Sequence, residues 1–373
     1  MSNQPLHDKL ERHLSFLAQD SSNFTLLIEI YDFYLQLGDW ESAQTYLNKA
    51  KVINPEACFN HQGLLYLHQR QYSPAKECFL EALKLADSPA LRYNLGLSYF
   101  MGFEFEQAWD VLAPLLEGSH FPDAELLMAR ILHRQDAMDE AISLLENILE
   151  HNPDDADALG MLALMYFDMN EAELAIETAL RSLELNPNNY DATLVSIMTR
   201  LLTQETSIEE IEALIKINPE DTRLWFALGN TYVTQGNTAA AEKALQKAVT
   251  IYPEFYDCHI VLAWCQLLNN RISKAINTYQ LAANLEEELA DAWGGLALIH
   301  ALKEDYLESE QLINKAKALN QDCFLTELAE TIYFNHKNPI QAKQHLIKAL
   351  NNSKLPVSEK LVLVLKEMQS LEA

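Results

Sequence analysis

The sequence predicts an all-α chain built from short antiparallel helix pairs stacked in tandem. Three observations carry that prediction. Apolar residues recur at helical spacing on both sides of short polar turns, as in LWFALGNTY (224–232) followed, beyond the turn VTQGN, by AAAEKALQKAVTIYP. A small residue returns at a near-constant period: Ala43, Ala75, Ala108, Ala141, Ala175, Ala241, Ala275, Ser309 and Ala342, at intervals of 32, 33, 33, 34, 66, 34, 34 and 33 residues. Ten glycines and twelve prolines in 373 residues are too few for a turn-rich β fold.

The elements can be justified in order. Residues 1–23 form an N-terminal cap, because QPLHDKLERHLSFLAQ (4–19) makes one helix with Leu6, Leu10, Leu14 and Leu17 on one side. Five helix pairs occupy 24–189, beginning near 24, 56, 89, 122 and 156. Tyr34, Tyr66, Tyr99 and Tyr166 mark their first helices, and Pro55, Pro153 and Pro187 follow second helices. Residues 190–221 hold a degenerate sixth pair: LLTQETSIEEIEALIKINP lacks the small residue of the ladder, so its second helix must be short or displaced. Four more pairs fill 222–356, beginning near 222, 256, 290 and 323, with Tyr232 and Tyr333 in step. VSEKLVLVLKEMQSLEA (357–373) forms a C-terminal cap, since a stacked array must shield its end faces. Its LVLVL run (361–365) is more apolar than a cap needs and could serve as a contact between two copies of the chain.

The small residues have a mechanical reason. Two helices approach closely only where a side chain is small, and a large neighbour then fills the adjoining gap. Gly63, Gly96 and Gly229 share one place in their pairs, held by Ala129, Ala163, Ala263 and Ala297 in others. Gly229 therefore reads as a packing contact and not as a hinge, even though a mid-helix glycine costs about 1 kcal/mol relative to alanine.

Trp225, Leu228, Gly229, Tyr232, Gly236, Ala241, Leu245, Ala248 and Pro253 resemble the tetratricopeptide repeat, with leucine at Leu245 where the pattern has an aromatic. The resemblance extends to about ten units over most of the chain. It implies a right-handed superhelical solenoid whose first helices line a concave groove.

Composition narrows the function. The formal net charge is −27, from 54 acidic and 27 basic residues, which disfavours nucleic acid and anionic lipid as partners. Residues 1–187 hold 30 acids against 11 bases, and 101–190 hold 19 acids against Arg130, Arg134 and Arg181 alone. This is either a solvated exterior or a docking surface for a basic partner. Cys58, Cys78, Cys258, Cys265 and Cys323 are dispersed without a CxxC pair, as free thiols of a reducing compartment would be. No signal-peptide core opens the sequence and no apolar run reaches membrane-spanning length, so a cytoplasmic protein without membrane insertion is expected.

No catalytic constellation is found. Glycines never cluster before a helix as in a phosphate-binding loop, and the eleven histidines include no HExxH pair. His61 and His68, like Cys258 and Cys265, lie seven apart on one helix face, too far to chelate a metal without outside ligands. Asp154–Asp155 and Glu286–Glu288 fall at junctions between pairs, where hydrated charge is ordinary. Asp123, Asp157, Asp191, Asp257 and Asp291 stand at the second place of their units, where negative charge complements the helix dipole and can satisfy free N–H groups. Neither cofactor nor metal is expected, and an enzyme is not.

By the family's geometry, places two, five, nine and twelve of each unit turn to the groove. Reading them off gives Asn60, Leu64 and Leu67; Tyr93, Leu97 and Phe100; Leu126, Arg130 and His133; Gly160, Leu164 and Phe167. Later units give Arg223, Phe226, Asn230 and Val233; Ile260, Trp264 and Leu267; Gly294, Leu298 and Ala301. Tyr93, Phe100, Phe167, Phe226 and Trp264 make this face unusually aromatic, as binding surfaces are. Co-chaperone members of the family grip a C-terminal carboxylate with Lys, Asn and Arg at places two, five, six and nine. Arg223 and Asn230 fit that pattern, but Phe226 holds place five and five other units carry Asp at place two. An asparagine ladder like that of sugar-transferring members is also missing.

The expected function is a non-catalytic scaffold or adaptor holding an apolar or amphipathic protein segment, with basic flanks, in the groove. The candidate contact residues are Tyr93, Leu97, Phe100, Arg130, Leu164, Phe167, Arg223, Phe226, Asn230 and Trp264. Two alternatives stay open: a chaperone of a secreted or assembly-pathway client, and a protein that self-associates into a homodimer through its C-terminal helix.

Overall fold

Twenty-one α-helices follow one another, with no strand, among the described residues of the computed structural model: 4–116, 120–201, 206–335 and 337–351. The C-terminal cap expected at 357–373 lies outside them. A single helix, α1 (Gln4–Leu17), comes first, with Leu10 and Leu17 buried against the first pair. Ten pairs follow: α2 (Phe24–Leu37) with α3 (Trp40–Ile53); α4 (Phe59–His68) with α5 (Tyr72–Leu85); α6 (Pro89–Met101) with α7 (Phe105–Leu116); α8 (Pro122–Arg134) with α9 (Met138–His151); and α10 (Ala156–Asp168) with α11 (Ala172–Leu185). The remaining five are α12 (Tyr190–Arg200) with α13 (Ile208–Ile217); α14 (Thr222–Thr234) with α15 (Thr238–Ile251); α16 (Tyr256–Leu268) with α17 (Ile272–Leu285); α18 (Ala290–Leu302) with α19 (Tyr306–Leu319); and α20 (Phe324–Asn335) with α21 (Pro339–Asn351). The first helix of each pair is termed A and the second B.

The chain divides into two compact units, Met1–Glu171 with Arg181–Asn186, and Ala172–Leu180 with Pro187–Ala373. Within each, an A helix packs on its own B helix, and that B helix packs on the next A helix. This is the arrangement of a tetratricopeptide solenoid, in which each repeat buries its apolar face only by stacking on a neighbour.

The interlock inside a pair sets its geometry. A methyl group added at Gly63 would stand 2.6 Å from the Phe79 ring, at Gly96 2.6 Å from Leu112, and at Gly229 2.5 Å from Leu245. In each case the large side chain belongs to the B helix of the same pair. Ala129, Ala163, Ala263 and Ala297 occupy the same place in other pairs, all fully buried. The residues of the small-side-chain ladder are buried throughout. Its one serine is explained by a hydrogen bond, since Ser309 Oγ donates to the Ala297 carbonyl at 3.0 Å.

Side chains cap several helix starts from the residue just before the helix, whereas α8, α16 and α18 begin without such a cap. Asn23 accepts from the Leu26 amide at 3.1 Å, Asp155 from Ala158 at 3.0 Å and Asn189 from Ala192 at 2.9 Å. Asp123, Asp157, Asp191, Asp257 and Asp291 lie in the first turn of their helices, where they oppose the helix dipole.

The A–B turns share one conformational demand. A residue with positive φ closes each of eight turns: Gly38, Arg70, Phe103, Asp136, Asn170, Gly236, Asn270 and Glu304. Glycine meets it freely and Asn or Asp meets it with little strain, whereas other side chains incur roughly 1–2 kcal/mol. The degenerate sixth pair is contracted: α13 has ten residues where most B helices have fourteen, and Ile211 and Leu214 supply its buried contacts.

Because Leu245 has already closed on the bare backbone of Gly229, Gly229→Ala is expected to destabilise the protein by about 1–3 kcal/mol despite alanine's better helix propensity. Urea unfolding of the variant measures this directly.

Candidate functional site

The A-helix face of the first unit is assembled from α4, α6, α8 and α10. Neighbouring A helices touch along it: Asn94 Nδ2 donates to Asn60 Oδ1 at 3.5 Å, and His133 Nε2 meets Asp168 Oδ2 at 2.8 Å. Tyr93, Leu97, Phe100, Arg130 and Phe167 are all half-buried here. Tyr93 packs edge-on against Phe121 at 6.0 Å, and Phe100 lies 5.7 Å from Phe105. Burial, together with the negative charge of Asp123, raises the Tyr93 hydroxyl above its ordinary pKa, while Arg130 opposes the shift. Tyr93 therefore reaches from α6 to Phe121 at the start of α8 and remains partly exposed. Leu164 differs from its expected place: it is 3 % exposed, in a helix buried continuously from Ala158 to Met165.

In the second unit, Arg223, Phe226 and Asn230 are half-buried on α14. Phe226 stacks obliquely on Phe255 at 4.9 Å. Asn230 Nδ2 donates to the Phe226 carbonyl at 3.0 Å, so part of its polar capacity is satisfied on its own helix. Arg223 is held by Asp221, with Nε donating to Oδ1 at 3.0 Å and Nη2 to Oδ2 at 2.9 Å, while the Tyr190 hydroxyl donates to the same carboxylate at 2.9 Å. Burial alone would push Asp221 up, but Arg223, Tyr190 and the Arg223 amide outweigh it and hold the carboxyl below its usual range. An arginine committed in this way is poorly placed to grip a partner's carboxylate.

Trp264 does not offer its ring to solvent. It is 2 % exposed and lies 5.9 Å from Phe324 of α20, edge to face. The cause is a close approach between α18 and α20: a Cβ at Gly294 would meet Thr326 Oγ1 at 2.6 Å and the Thr326 amide nitrogen at 2.9 Å. Leu298, Ala301 and Ile260 are buried with it. Val233 likewise belongs to the core.

Electrostatically the face is acidic. Partial desolvation and then the neighbouring Asp291 charge raise the Asp257 carboxyl above its ordinary value, as expected for acids on adjacent A helices without a full cationic partner. Burial pushes the Cys265 thiol up to about 12 and the Cys323 thiol to about 11, so these cysteines pack as small hydrophobes and carry no nucleophile. All five cysteines are free. One group of potential metal donors occurs among the described residues: Glu327, Glu330 and His345, whose ligand atoms lie within 4.8 Å of one another. Lys348 Nζ binds Glu327 Oε1 at 2.6 Å and Lys317 Nζ binds Glu330 Oε1 at 2.8 Å. Lysines thus neutralise both carboxylates within the fold, and the group is a buried ion-pair network tying α19, α20 and α21.

Family models described as tetratricopeptide repeat match residues 57–89, 132–201, 205–254 and 232–299, together more than half of the chain. The chain belongs to the tetratricopeptide repeat family. Among curated relatives, BBSome complex member BBS4 of Bos taurus is 22 % identical over 254 residues, covering 67 % of this chain and 49 % of that protein. Anaphase-promoting complex subunit 3 of Schizosaccharomyces pombe is 24 % identical over 270 residues, covering 70 % of this chain and 40 % of that one. The tetratricopeptide chain described here thus spans about half, or less, of the length of these relatives. Among solved structures, a human IFIT1 dimer with PPP-AAAA aligns with a TM-score of 0.48 at 15 % identity, covering 94 % of this chain and 95 % of that one. No helix among the described residues is long and apolar enough to cross a membrane.

The Asp221 network generates a pH prediction. A carboxyl depressed by folding contributes stability above its unfolded-state pKa and loses it as pH falls through the folded value. Asp221→Asn should therefore cost about 1–2 kcal/mol at neutral pH. The gap from the parent protein should shrink below about pH 4. Chemical unfolding at several pH values reads both.

Proposed function

We propose that this protein is a non-catalytic scaffold that holds an apolar or amphipathic segment of a partner protein, flanked by basic residues, in the groove lined by its A helices. The observation that carries this reading is that each unit keeps half-exposed rings on its own A-helix face. Tyr93, Phe100 and Phe167 stand in the first unit and Phe226 in the second, each only partly buried. Rings held in this way bury large apolar area on contact at little cost in side-chain entropy. The net charge of −27 supports the basic flanks, since complementary charge accelerates encounter and makes binding salt-sensitive. The relatives named above are, by their names, a member of one complex and a subunit of another, which agrees with a role in assembly. Leu164 and Trp264 are left out of the contact set because both are buried.

The test begins with affinity purification of the tagged full chain and identification of its stable partner by mass spectrometry. Phe167→Ser and Phe226→Ser should each weaken that partner's binding about tenfold or more, and binding should weaken further as salt rises. Trp264→Ala should act differently, lowering stability by about 3–5 kcal/mol as a core deletion does. Unchanged partner affinity in both phenylalanine variants would sink the groove assignment.

A further inference from the structure

The turn between α6 and α7 and the start of α7, GFEF (102–105), present an aromatic patch apart from the groove rings. Phe103 is 79 % exposed, far more than any other aromatic residue among the large exposed hydrophobics, and it adopts φ +60°. Sister turns fill that position with glycine, asparagine or a charged residue, all of which suit water better than a benzyl group. Phe105 stands edge-on to Phe103 at 6.3 Å, and Trp109, one helical turn further along α7, is 36 % exposed. Met101, at 39 %, borders the same turn. Folding does not call for this exposure: the turn's backbone bonds, Phe103 N to Phe100 O at 3.0 Å and Glu104 N to Tyr99 O at 2.9 Å, require no particular side chain at 103.

The charge around the patch says what would cover it. Glu106 and Asp110 are exposed on α7, beside Phe105 and Trp109 in sequence. The next turn of the stack, between α8 and α9, adds exposed Asp136, Asp139 and Glu140. The cation reaching this edge from the preceding pair, Lys76, is already taken by an ion pair with Glu104. Arg134 is the basic residue nearest in sequence to the Asp136 turn. An exposed apolar patch bordered by such an excess of acid selects a segment of opposite pattern.

We propose that the A–B turn edge of the first unit is a second docking surface, distinct from the groove. It would receive a basic amphipathic segment of a protein partner, with apolar side chains on Phe103, Phe105 and Trp109 and lysines or arginines against Glu106, Asp110 and Asp139. The feature resides in side chains that the helix-pair architecture does not need, so function and stability can be separated by substitution.

Phe103→Asn is the informative variant, because Asn170 and Asn270 already occupy the equivalent turn position. The full chain is titrated with a fluorescein-labelled helical peptide of leucine and lysine, and with its leucine and glutamate counterpart, while stability is followed by urea unfolding. Expected are at least tenfold weaker binding of the lysine peptide by Phe103→Asn and by Trp109→Gln, undiminished stability in Phe103→Asn, no binding of the glutamate peptide, and parental binding by Phe226→Ser. The proposal is overturned by equal binding of the lysine peptide to parent and Phe103→Asn, by loss of binding in Phe226→Ser alone, or by Phe103→Asn being markedly less stable, which would make Phe103 a structural residue.

Discussion

One contact recurs along the stack and the rest of the architecture hangs on it: the bare backbone of an A helix pressed against a large side chain of its B helix. Gly63 against Phe79, Gly96 against Leu112 and Gly229 against Leu245 are its tightest forms, each without space for one more carbon. The contact fixes the distance between the two helices of a pair, and so where the next pair must sit. Interactions of this kind are nearest-neighbour by construction, which is why a contracted sixth pair can be accommodated in sequence with the others.

Fixing the scaffold through one side of each helix leaves the other sides free, and those sides differ from pair to pair. On α6, α8 and α14 the A-helix face keeps half-exposed rings and an arginine. On α18 a second glycine, Gly294, lets α20 approach until its backbone fills the space, so the same formal positions become core. The A–B turns show the same division. Their backbone requirement is common, but the side chain that meets it ranges from Gly38 to Phe103.

Almost all of the fold could be read from the sequence, because the ladder of alanines, tyrosines and prolines reports contacts made within one pair or with the next. The candidate site was only partly readable. Assigning groove positions by place treats every A helix alike, and it anticipates the partial exposure of Tyr93, Phe100 and Phe226. It fails for Trp264, whose exposure depends on how close α20 comes, and that distance is set by Gly294 thirty residues further on. Leu164 fails likewise within a helix apolar on every side. Phe103 was missed although a signal existed: aligned on the ladder, it stands where Gly38 and Gly236 stand, and a phenylalanine there is conspicuous. The second-place aspartates lie in the first helical turn and complement the dipole there, while the side-chain caps of α10 and α12 come from Asp155 and Asn189, one residue before each helix.

The most direct test of the interlock is a double-mutant cycle at Gly96 and Leu112, measured by urea unfolding of the full chain. Each single alanine substitution should destabilise, the first by overpacking and the second by leaving a cavity. The double variant should be no less stable than Leu112→Ala alone, since the new methyl occupies space the leucine has vacated, giving a coupling of about 1 kcal/mol or more. Additive losses would show that the two residues do not share that space, and would contradict the contact on which the stack is built.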